Sequence, residues 1–588
     1  MSRVSVAEGT KLSVVVARGL LGRLTSRVAT HPIVNWPFSF AKTDRIVIAP
    51  QDLRTSDATR AGEIYAGRFA FAGKVVTCDS RSPFEITPPT DEWAAALLGF
   101  GWLRHLRAAE SGISRANARA LVDEWITVSD SHNPVGWRAD VVARRIMSWL
   151  SQAPLLLDGA HVQFYRRFLR GLTRQVRHLR RTASQARDGV PRLQAVIALC
   201  YAALCMARQQ RHIRAATNRL SDELARQILP DGGHISRNPG ALIELLLDLL
   251  PLRSAFTARN LVPPTALLNA IDRMMPMLRF FRHGDGSFAL FNGMGPTPSD
   301  LITTVLTYDD ARGAPLASAP HSGYQRLESA STLVLLDAGC PPPMAVSQEA
   351  HAGCLSFELS AKQNRIVVNC GLPVASREGW RQVARTTAAH STVTLNDTSS
   401  CRFIGAGPVR RMLHGTPMIA GPRHVTVARE EQGSTTVLRA SHDGYADIFN
   451  VIHERILMLT ADGRGLEGED LFTPAQGELM PANRDQFAVR FHLHPSIKAN
   501  RLSDGHGAML ATPNREVWTF SAYGDRVEIE ESVYLAGPDG PRRTVQLVIY
   551  GRAGNVPRVR WAFAPHAAST TATGAARRGR DNEPQLPL

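Results

Sequence analysis

The chain has 588 residues, of which 44% are hydrophobic and 20% are charged, and its formal net charge is +16. This apolar content is sufficient for a sizeable core and excludes a globally disordered chain. Seven cysteines without a C-x-x-C pair do not form a disulfide framework. Arginines outnumber lysines by 63 to five. Arginine suits bidentate binding of carboxylate, sulfate or phosphate, although genomic base composition explains the excess equally well.

Two apolar segments bear on export and membrane insertion. Near the N-terminus, the run Leu12–Ala17 ends at Arg18. It is short and no clear small-residue cleavage site follows it, so the sequence itself does not predict export. The longest apolar segment, Leu193–Ala207, contains Gln194 and is shorter than the ~18 residues that a membrane span requires. We therefore expect no membrane span.

The stretch from about 90 to 282 has a helical pattern. Between Phe164 and Leu179, apolar residues recur every three or four positions with arginines between them, which is typical of an amphipathic helix. Ala241–Leu250 is apolar on nearly all sides and predicts a buried helix. Short breaks containing Pro, Gly or Asp separate these segments. We therefore expect antiparallel helical hairpins that close or stack to bury their apolar faces.

After about residue 315, apolar and polar residues alternate. The segments Leu355–Leu359, Val393–Leu395 and Phe487–Leu493 all show this period of two. Asp462-Gly463, between two apolar runs, is typical of a hairpin turn. Many short strands with turn signals between them predict a large antiparallel sandwich.

These two periods divide the chain into two large domains rather than four small ones. We predict a partly ordered N-terminal extension over 1–60, a helical domain over 61–310 and a strand domain over 311–565. The last residues, 566–588, are rich in Ala, Thr, Arg and Pro and are predicted to be a disordered tail.

A polar turn, Asp231–Pro239, leads into the apolar helix that begins near Ala241. Asn238 is able to cap that helix. Alternatively, His234, Arg237 and Asn238 line a cleft in which the N-terminus of the helix favours an anion. The turn is therefore a candidate for either a structural or a binding role.

A second turn, His283–Gly293, lies where the helical pattern gives way to strands. Its glycines permit tight turns, so it is either a plain interdomain connection or part of a site. Asp285 of this turn and Asp231 of the first turn are candidates for the acid pair of a hydrolase. Such a pair needs its carboxyl groups within about 5–10 Å.

Three further clusters contain histidine. In Arg385–Thr392, His390 lies beside small hydroxyl residues and is a candidate acid or base, or a packed structural histidine. His442 and Asp443 either contribute to a metal site or form an ordinary turn. On one strand, alternate positions place three side chains on one face, which suits a metal site or an interdomain face: Arg490, His492 and His494.

Several common activities lack their motifs in this chain. No P-loop, H-E-x-x-H or G-x-S-x-G motif occurs, which disfavours nucleotide chemistry and zinc-dependent proteolysis of that type. No nucleic-acid recognition motif or lysine-rich tail accompanies the positive charge, so we expect no nucleic-acid partner.

Six segments, taken in order, carry a family resemblance: Trp93–Leu106, Asp231–Pro239, Gly284-Asp285, Arg385–Thr394, His442–Tyr445 and His453–Arg455. In this order the chain resembles the heparinase II/III family of polysaccharide lyases and lyase-like proteins over roughly residues 60 to 560. The His-Ser-Thr and His-Asp-Gly-Tyr segments are the most specific. The resemblance implies an α+β multidomain fold, an incomplete (α/α) toroid followed by an antiparallel β-sandwich.

The resemblance also implies a reaction, β-elimination on a uronic-acid-containing polysaccharide. The proton at C5 leaves beside a carboxylate whose charge opposes a carbanion, so the site has to neutralise the carboxylate and supply a base. By resemblance, Asn238 is the neutralising residue and His390 is the histidine that reaches the interdomain cleft. His442 is the implied ligand of a divalent metal, such as zinc, in the sandwich.

The family's tyrosine is expected shortly after Gly284-Asp285, where this chain has Phe288 and Phe291. Phenylalanine cannot transfer a proton, so we take Tyr324 as the catalytic tyrosine, with Tyr308 as the other nearby tyrosine. No aspartate occurs in the loop 403–411, where another metal ligand is expected. Three residues are assigned to substrate binding: His234, Arg237 and Arg385.

The expected partner is an anionic polysaccharide, and a homodimer is compatible with the sequence. The resemblance implies the periplasm or cell envelope, whereas the N-terminus leaves a cytoplasmic location open. Because the tyrosine is not in its expected place, the alternative function is a non-catalytic protein on a lyase scaffold. Such a protein would bind acidic glycans or take part in envelope polysaccharide assembly.

Overall fold

The computed structural model describes residues 45–79, 81–128, 134–308, 313–373, 378–405, 407, 416–432, 435–477 and 484–566. Residues 1–44 of the predicted extension (1–60) and 567–588 of the predicted tail (566–588) lie outside these ranges. The first half is helical and forms an incomplete α/α toroid, as predicted. Its helices are α1 (Thr59–Tyr65), α2 (Asp91–Leu98), α3 (Leu103–Ala108), α4 (Gly112–Val128), α5 (Ala139–Ser151), α6 (Ala153–Leu157), α7 (Val162–Thr182), α8 (Val190–Cys205), α9 (Ile213–Gln227), α10 (Gly240–Ala258), α11 (Thr265–Phe280) and α12 (Ser299–Leu306).

The amphipathic pattern predicted for α7 is confirmed. Its apolar side chains are buried at every expected position, while the helix presents arginines between them. Helix α8 is buried along most of its length and packs against α5, α9 and α10. Helix α10 is likewise buried over Ala241–Leu252 apart from Glu244. The toroid thus buries its apolar faces by placing uniformly apolar helices among amphipathic ones.

Local signals fix the start of α2 and one hairpin. The Thr90 hydroxyl accepts a hydrogen bond from the Trp93 backbone N–H at 3.1 Å, which caps the helix N-terminus. Asp462-Gly463 joins two antiparallel strands, as predicted, and Gly463 has a φ of 65°. A Cβ at Gly463 would lie 2.3 Å from the Ser329 carbonyl oxygen, so the turn requires glycine for packing as well as for conformation.

The described part of the second half contains most of the strands and two short helices, α13 (Glu378–Ala384) and α14 (Ala446–Phe449). The strands of the chain are β1 (Arg68–Phe71), β2 (Lys74–Thr77), β3 (Ser318–Ala319), β4 (Tyr324–Ser329), β5 (Thr332–Asp337), β6 (Phe357–Ala361), β7 (Asn364–Val368), β8 (Val393–Leu395), β9 (Arg402–Phe403), β10 (Met418–Ala420), β11 (Val425–Gln432), β12 (Thr435–Tyr445), β13 (Val451–Leu459), β14 (Leu466–Pro474), β15 (Gln486–Leu493), β16 (Lys498–Arg501), β17 (Gly507–Ala511), β18 (Val517–Ala522), β19 (Val527–Tyr534), β20 (Arg542–Arg552) and β21 (Arg558–Pro565).

Two large antiparallel sheets form the sandwich. One has the order β11-β12-β13-β14-β21-β18-β17-β16, and the other has the order β19-β20-β15-β7-β6-β5-β4-β3, with β8 also pairing with β15. The strands β1 and β2 form a separate hairpin in the helical half, and β9 and β10 pair with each other in a two-stranded sheet. Within the described ranges, none of the helices combines the length and apolar composition that a bilayer span needs.

The sheet containing β5 is covered on both faces. Along β5, Leu333 and Leu335 join the apolar core of the helical half, whereas Val334 and Leu336 join the core of the sandwich. Successive side chains of a strand point to opposite faces, so this sheet is the middle of three layers. It brings loops of the sandwich against the ends of the toroid helices.

A buried carboxylate, Glu358 on β6, joins the two halves. From the helical side it accepts hydrogen bonds from His283 Nε2 at 3.0 Å and from the Leu290 backbone N–H at 3.0 Å. From the sheet it accepts bonds from Arg365 at 2.6 Å and from the Asn369 backbone N–H at 3.0 Å. Burial raises the pKa of Glu358, but Arg365 and the bond from His283 outweigh it and lower the pKa to about 2.

We expect Glu358→Gln to destabilise the protein by about 3–5 kcal/mol at neutral pH, because Arg365 loses its buried partner. A carboxylate with a lowered pKa stabilises the fold above its ordinary pKa of 4.5, and this stabilisation is lost as the pH falls towards 2. The difference in unfolding free energy between wild type and variant should therefore narrow below about pH 4.5. Urea denaturation from pH 7 to pH 3 measures it.

The matched control is Glu454→Gln, which removes a carboxylate paired with the largely exposed Arg439 on the outer sheet. That change should cost less than about 1 kcal/mol. Equal stability of wild type and Glu358→Gln at pH 7, or a difference that stays constant down to pH 3, would contradict the assigned role of Glu358.

Candidate functional site

Asn238 lies at the start of α10 and faces the sandwich. Its Oδ1 accepts a hydrogen bond from the Gly240 backbone N–H at 2.8 Å, and its Nδ2 donates to Glu349 Oε2 at 3.2 Å. Glu349 is exposed and belongs to the loop that precedes β6. Gly293, with a φ of 93°, packs against both, and a Cβ there would lie 2.8 Å from the Glu349 carbonyl oxygen. Asn238 therefore links the first turn of α10 to a carboxylate of the sandwich loop, and its predicted binding of a ligand anion stays a prediction.

Two residues further along the same loop, His351 forms a hydrogen-bonded pair with His390. The distance from His351 Nδ1 to His390 Nε2 is 3.0 Å, and His390 Nδ1 lies 2.7 Å from the Thr386 carbonyl oxygen. His351 and His390 are 5% and 1% exposed. Burial lowers the pKa of His390 to about 4 and, together with His390, holds the pKa of His351 well below its ordinary value. Both rings are therefore neutral at physiological pH.

Two hydrogen bonds and the loop segment 349–351 link Asn238 to His390. Asn238 meets Glu349 by a hydrogen bond, Glu349 lies two residues before His351, and His351 meets His390. Two of the sequence-predicted residues, Asn238 and His390, are thus connected across the junction of the helical half and the sandwich. Their catalytic roles stay predictions.

Tyr324 is placed differently from the expected catalytic tyrosine. It is 1% exposed, and its hydroxyl donates to the Arg237 carbonyl oxygen at 2.6 Å and accepts a bond from Asn292 Nδ2 at 2.8 Å. Burial raises the pKa of Tyr324 above its ordinary value, which disfavours the phenolate. In this structure Tyr324 positions the backbone at Arg237, and Asn292 Oδ1 in turn accepts a bond from the His351 N–H at 3.2 Å.

The Arg237 guanidinium is also internal. It is 8% exposed in total, lies over the Tyr324 ring and pairs with Asp337. Its three nitrogens donate to carbonyl oxygens of residues 322, 323, 339 and 340. Arg237 itself has a φ of 62°, which is uncommon for a residue with a side chain. In this structure the Arg237 side chain therefore holds backbone segments together, and its expected contact with substrate stays a prediction.

Arg385 and His234 likewise direct their polar atoms into the protein. Arg385 donates to the Ser347 and Ala350 carbonyl oxygens at 2.9 and 2.8 Å, and to Thr416. It thereby holds the loop that carries Glu349. His234 is 2% exposed, with its ring nitrogens bonded to Ser236 and Gln227. Neither side chain has the exposed donor that the predicted substrate contact requires, and both support the loops of the site.

His442 was the expected metal ligand, and its surroundings do not fit a metal. Its Nε2 lies 3.3 Å from His453 Nδ1, and its Nδ1 accepts the Gly444 N–H at 3.0 Å. His453 Nε2 in turn bonds to Asp470 at 2.8 Å, and that carboxylate also pairs with Arg455. A zinc site needs three or four ligands. Within the described ranges, no three metal-binding side chains come together.

The remaining clusters serve local structure. Asp231 accepts bonds from the Ser322 backbone and hydroxyl at 2.6 Å, and Asp285 accepts bonds from Ser287. The hydrolase alternative therefore rests on two carboxylates that are already bonded, Asp231 to the segment before β4 and Asp285 within its own turn. On the strand face of β15, His492 bonds to Ser532 and to a backbone carbonyl.

Sequence reasoning missed His351 and Glu349. His351 precedes the buried strand β6 much as His390 precedes β8, and this position before a strand is the one signal that marks it. Nothing in the local sequence indicates that the two histidines meet, because 39 residues separate them. Glu349 has no pattern around it that distinguishes it from other surface acids.

Comparison with known proteins agrees with this architecture. Residues 311–562 match the family described as Heparinase II/III-like, C-terminal. The chain is 31% identical over 496 residues to FtsZ-localized protein C of Caulobacter vibrioides, covering 83% of this chain and 84% of that protein. The sequence relationship therefore extends over both halves.

Solved structures share the fold at low sequence identity. A crystal structure of heparinase III matches with a TM-score of 0.69 and 14% identity, covering 92% of this chain and 90% of that chain. A mutant of the heparan sulfate lyase HepC from Pedobacter heparinus matches with a TM-score of 0.62 and 15% identity, covering 94% and 88%. The match to the family model and the 31% identical relative show, together with this shared fold, that the chain belongs to the heparinase II/III-like family.

Proposed function

We propose that the protein is a polysaccharide lyase that cleaves an acidic, uronic-acid-containing glycan by β-elimination at the junction of toroid and sandwich. The observation that carries the proposal is the connection of Asn238 to the His351–His390 pair through the Glu349 loop. An amide donor at a helix N-terminus and a neutral imidazole are the two functions that the reaction needs close together.

The chemistry sets the roles. An imidazole nitrogen takes the proton from C5, the C5–H electron pair becomes the C4=C5 double bond, and the C4–O bond breaks with its pair on the leaving oxygen. Asn238 Nδ2 would bind the uronate carboxylate, which withdraws charge from C5 as the proton leaves. The leaving oxygen takes its proton from water, since Tyr324 is bonded internally.

Glu349 limits how the carboxylate binds. Its Oε2 accepts a bond from one of the two N–H groups of Asn238 Nδ2, so a substrate carboxylate bound to the other N–H would lie beside it. Two carboxylates at one amide repel each other. The exposed position of Glu349 on the loop permits it to move away when the substrate carboxylate binds. Asn238 Nδ2 would activate the uronate by binding its carboxylate, and the negative charge of Glu349 weakens that same binding.

A second candidate is a protein that binds acidic glycans, or takes part in envelope polysaccharide assembly, without turnover. Its support is the internal placement of Tyr324 together with the acid at Asn238. Both features remove a group that the family reaction uses, while the scaffold that holds a glycan is retained.

The first test is product formation. A lyase makes an unsaturated uronate, so incubation with a panel of acidic glycans should raise the ultraviolet absorbance. Asn238→Asp keeps the oxygen that accepts the Gly240 N–H but loses the donor, and we expect it to lower kcat by about 100-fold or more. The control is Arg439→Ala, an exposed change on the outer sheet. No absorbance change with any glycan that binds would leave the non-catalytic candidate.

The second test concerns Glu349. Glu349→Gln removes the competing charge but keeps an amide oxygen that is able to accept from Asn238. We expect acidic glycans to bind about 3- to 10-fold more tightly, the equivalent of ~1 kcal/mol, and neutral glycans to bind unchanged. Calorimetric titration measures both. Unchanged or weaker binding of the acidic glycan would show that its carboxylate does not lie at Asn238.

The compartment is a further part of the proposal. The family resemblance favours the periplasm or cell envelope, whereas the 31% identical relative carries the name FtsZ-localized protein C. We propose that this chain acts at the cell envelope near the division site. A fluorescent fusion should concentrate at midcell together with FtsZ, and a uniform distribution through the cell would contradict this.

A further inference from the structure

Helix α7 presents an arginine-rich face to solvent. Its 21 residues, Val162–Thr182, include seven arginines and neither aspartate nor glutamate. The buried side of the helix is marked by Phe168, Leu172 and Leu179, and the helical period brings most of the arginines to the opposite side. The helix therefore has a large positive charge and no acid of its own to balance it.

Five of the arginines in this region form one surface, which we call the arginine stripe. It consists of Arg166, Arg170, Arg177 and Arg180 of α7, together with Arg211 in the turn before α9. Arg166, Arg170 and Arg211 are exposed, and the other two are half-buried. From Arg166 to Arg180 the stripe runs along the helix for about 21 Å, at about 1.5 Å per residue.

The folded chain leaves the charges of the stripe unbalanced. In the part of the chain that the structure describes, none of the five arginines pairs with an acid. Arg180 donates to the side-chain oxygen of Gln209 at 2.6 Å, and Arg211 Nε donates to His212 Nε2 at 3.2 Å. Arg170 donates to a backbone carbonyl. A guanidinium only donates, so the His212 ring accepts and is neutral, as are the other two acceptors.

The electrostatics at the C-terminal end of α7 show the same surplus. Burial, together with the neighbouring Arg211 and Arg177, lowers the pKa of Arg180 to about 10. Burial, Arg180 and Arg211 lower the pKa of His212 in the same way. The charged groups that shift both pKa values are all arginines. Like charges held together destabilise a fold, and a bound anion would remove that repulsion.

Several exposed arginines elsewhere do have an acid beside them. On the sandwich, Arg423 pairs with Asp447 at 2.8 Å. On α7 itself, at the edge of the stripe, Arg167 pairs with Asp123 at 2.6 Å. A general excess of arginine therefore does not explain the stripe. Its distinguishing feature is that its arginines are next to one another and have no acid among the described residues.

The side chains around these arginines decide which polyanion the stripe suits. Val162, at the first position of α7, is the large apolar residue of this helix that is exposed, so the stripe has no apolar row to insert into a bilayer. No aromatic side chain of α7 is exposed for stacking on nucleic-acid bases. Guanidinium groups spaced along a helix suit carboxylate or sulfate groups spaced along a polysaccharide.

The segment that follows α7 reaches the candidate site. Within seven residues of Thr182 the chain comes to Gly189, where a Cβ would lie 3.3 Å from Val346 Cγ1 and 3.6 Å from His234 Cε1. His234 belongs to the turn that leads into α10, and Val346 belongs to the loop that carries Glu349. The stripe is thus on a helix adjoining the loops of the junction.

We infer that the arginine stripe is a second binding surface for the acidic polysaccharide, which holds one part of the polymer while another part occupies the junction. The inference deepens the proposed function and rests on it for the identity of the polymer. A chain long enough to reach both surfaces binds more tightly than a short one, because its second contact is intramolecular. An oligosaccharide too short to reach the stripe binds only at the junction.

The test compares a long and a short acidic glycan by calorimetric titration of the full chain at low salt. The stripe variant combines Arg166→Gln, Arg170→Gln and Arg177→Gln. We expect it to bind polygalacturonate or alginate about 10-fold more weakly than the wild type does. Tetrasaccharides of the same polymers should bind both proteins equally. Added salt should narrow the difference for the polymer, because it screens exposed charges.

The matched control removes the same amount of charge from the sandwich, where each arginine has an acid beside it. It combines Arg423→Gln, Arg439→Gln and Arg558→Gln. This control should bind the polymer as tightly as the wild type. The stripe variant should unfold at or above the wild-type temperature, since it loses repulsion and no ion pair. A lower unfolding temperature would assign these arginines a structural role and overturn the inference.

Three binding results would also overturn it. They are unchanged binding of the polymer by the stripe variant, equal weakening of polymer and tetrasaccharide, and equal weakening in the sandwich control. Tighter binding of a DNA duplex or of phosphatidylglycerol vesicles than of the acidic polymers, lost in the stripe variant, would assign the stripe to a different polyanion and overturn the inference as well.

Binding does not depend on turnover, so the inference and the proposed lyase activity fail separately. A wild type that binds the long polymer through the stripe but forms no unsaturated product would lose the lyase assignment and keep the stripe. A stripe variant that cleaves the long polymer with unchanged kcat/KM would keep the lyase assignment and lose the stripe.

Discussion

One buried carboxylate, Glu358, fixes both walls of the candidate site. It binds the backbone of Leu290 on the helical side, and the residue two positions further on carries the amide that accepts the His351 N–H. It also binds Asn369 on the sheet, whose side chain accepts the N–H of the residue after His390. A carboxylate that accepts this many bonds is stable in the interior only when all of its donors are in place. The two histidines therefore meet only where the two halves of the chain are correctly docked.

The composition suggests that the surplus arginines bind an anionic partner, but several of them are buried and bond within the protein. Among the described residues, Arg145, Arg237, Arg365, Arg385 and Arg455 are all more than nine-tenths buried. Most of their bonds go to backbone carbonyls or to single buried acids. The planar guanidinium has several donors in a fixed geometry, so one side chain ties several loops together. Arginine here serves as an internal brace around the site, and the charge nearest Asn238 is the negative charge of Glu349.

The sequence was sufficient for the architecture because the period of a segment distinguishes a helix from a strand. The apolar stripe of α7 and the alternation along β15 both predict the observed elements. Side-chain roles were harder, since they depend on contacts between distant segments. Tyr324 has the chemistry of an acid or base, yet its burial between Arg237 and Asn292 gives it a structural role. The partner of His390 was not predictable, because only the docking of the loop before β6 brings His351 to it.

Residue identity alone also predicted a metal ligand at His442 that the surrounding hydrogen bonds do not support. His442 lies in a segment typical of the family, beside an aspartate and near a second histidine, so the pattern favours coordination. Coordination, however, depends on free lone pairs, and hydrogen-bond direction decides how many remain. At His442 and His453 a chain of donors beginning at Asp470 uses every lone pair. At His351 and His390 a chain beginning at a carbonyl leaves one. Each series of hydrogen bonds starts at an acceptor, which is a carboxylate in one pair and a backbone oxygen in the other. That acceptor decides which nitrogen of the first ring carries the proton. At His442 and His453 the bonds are completed by one additional backbone N–H, from Gly444 to His442 Nδ1, so no ring nitrogen of that pair keeps a free lone pair with which to bind a metal.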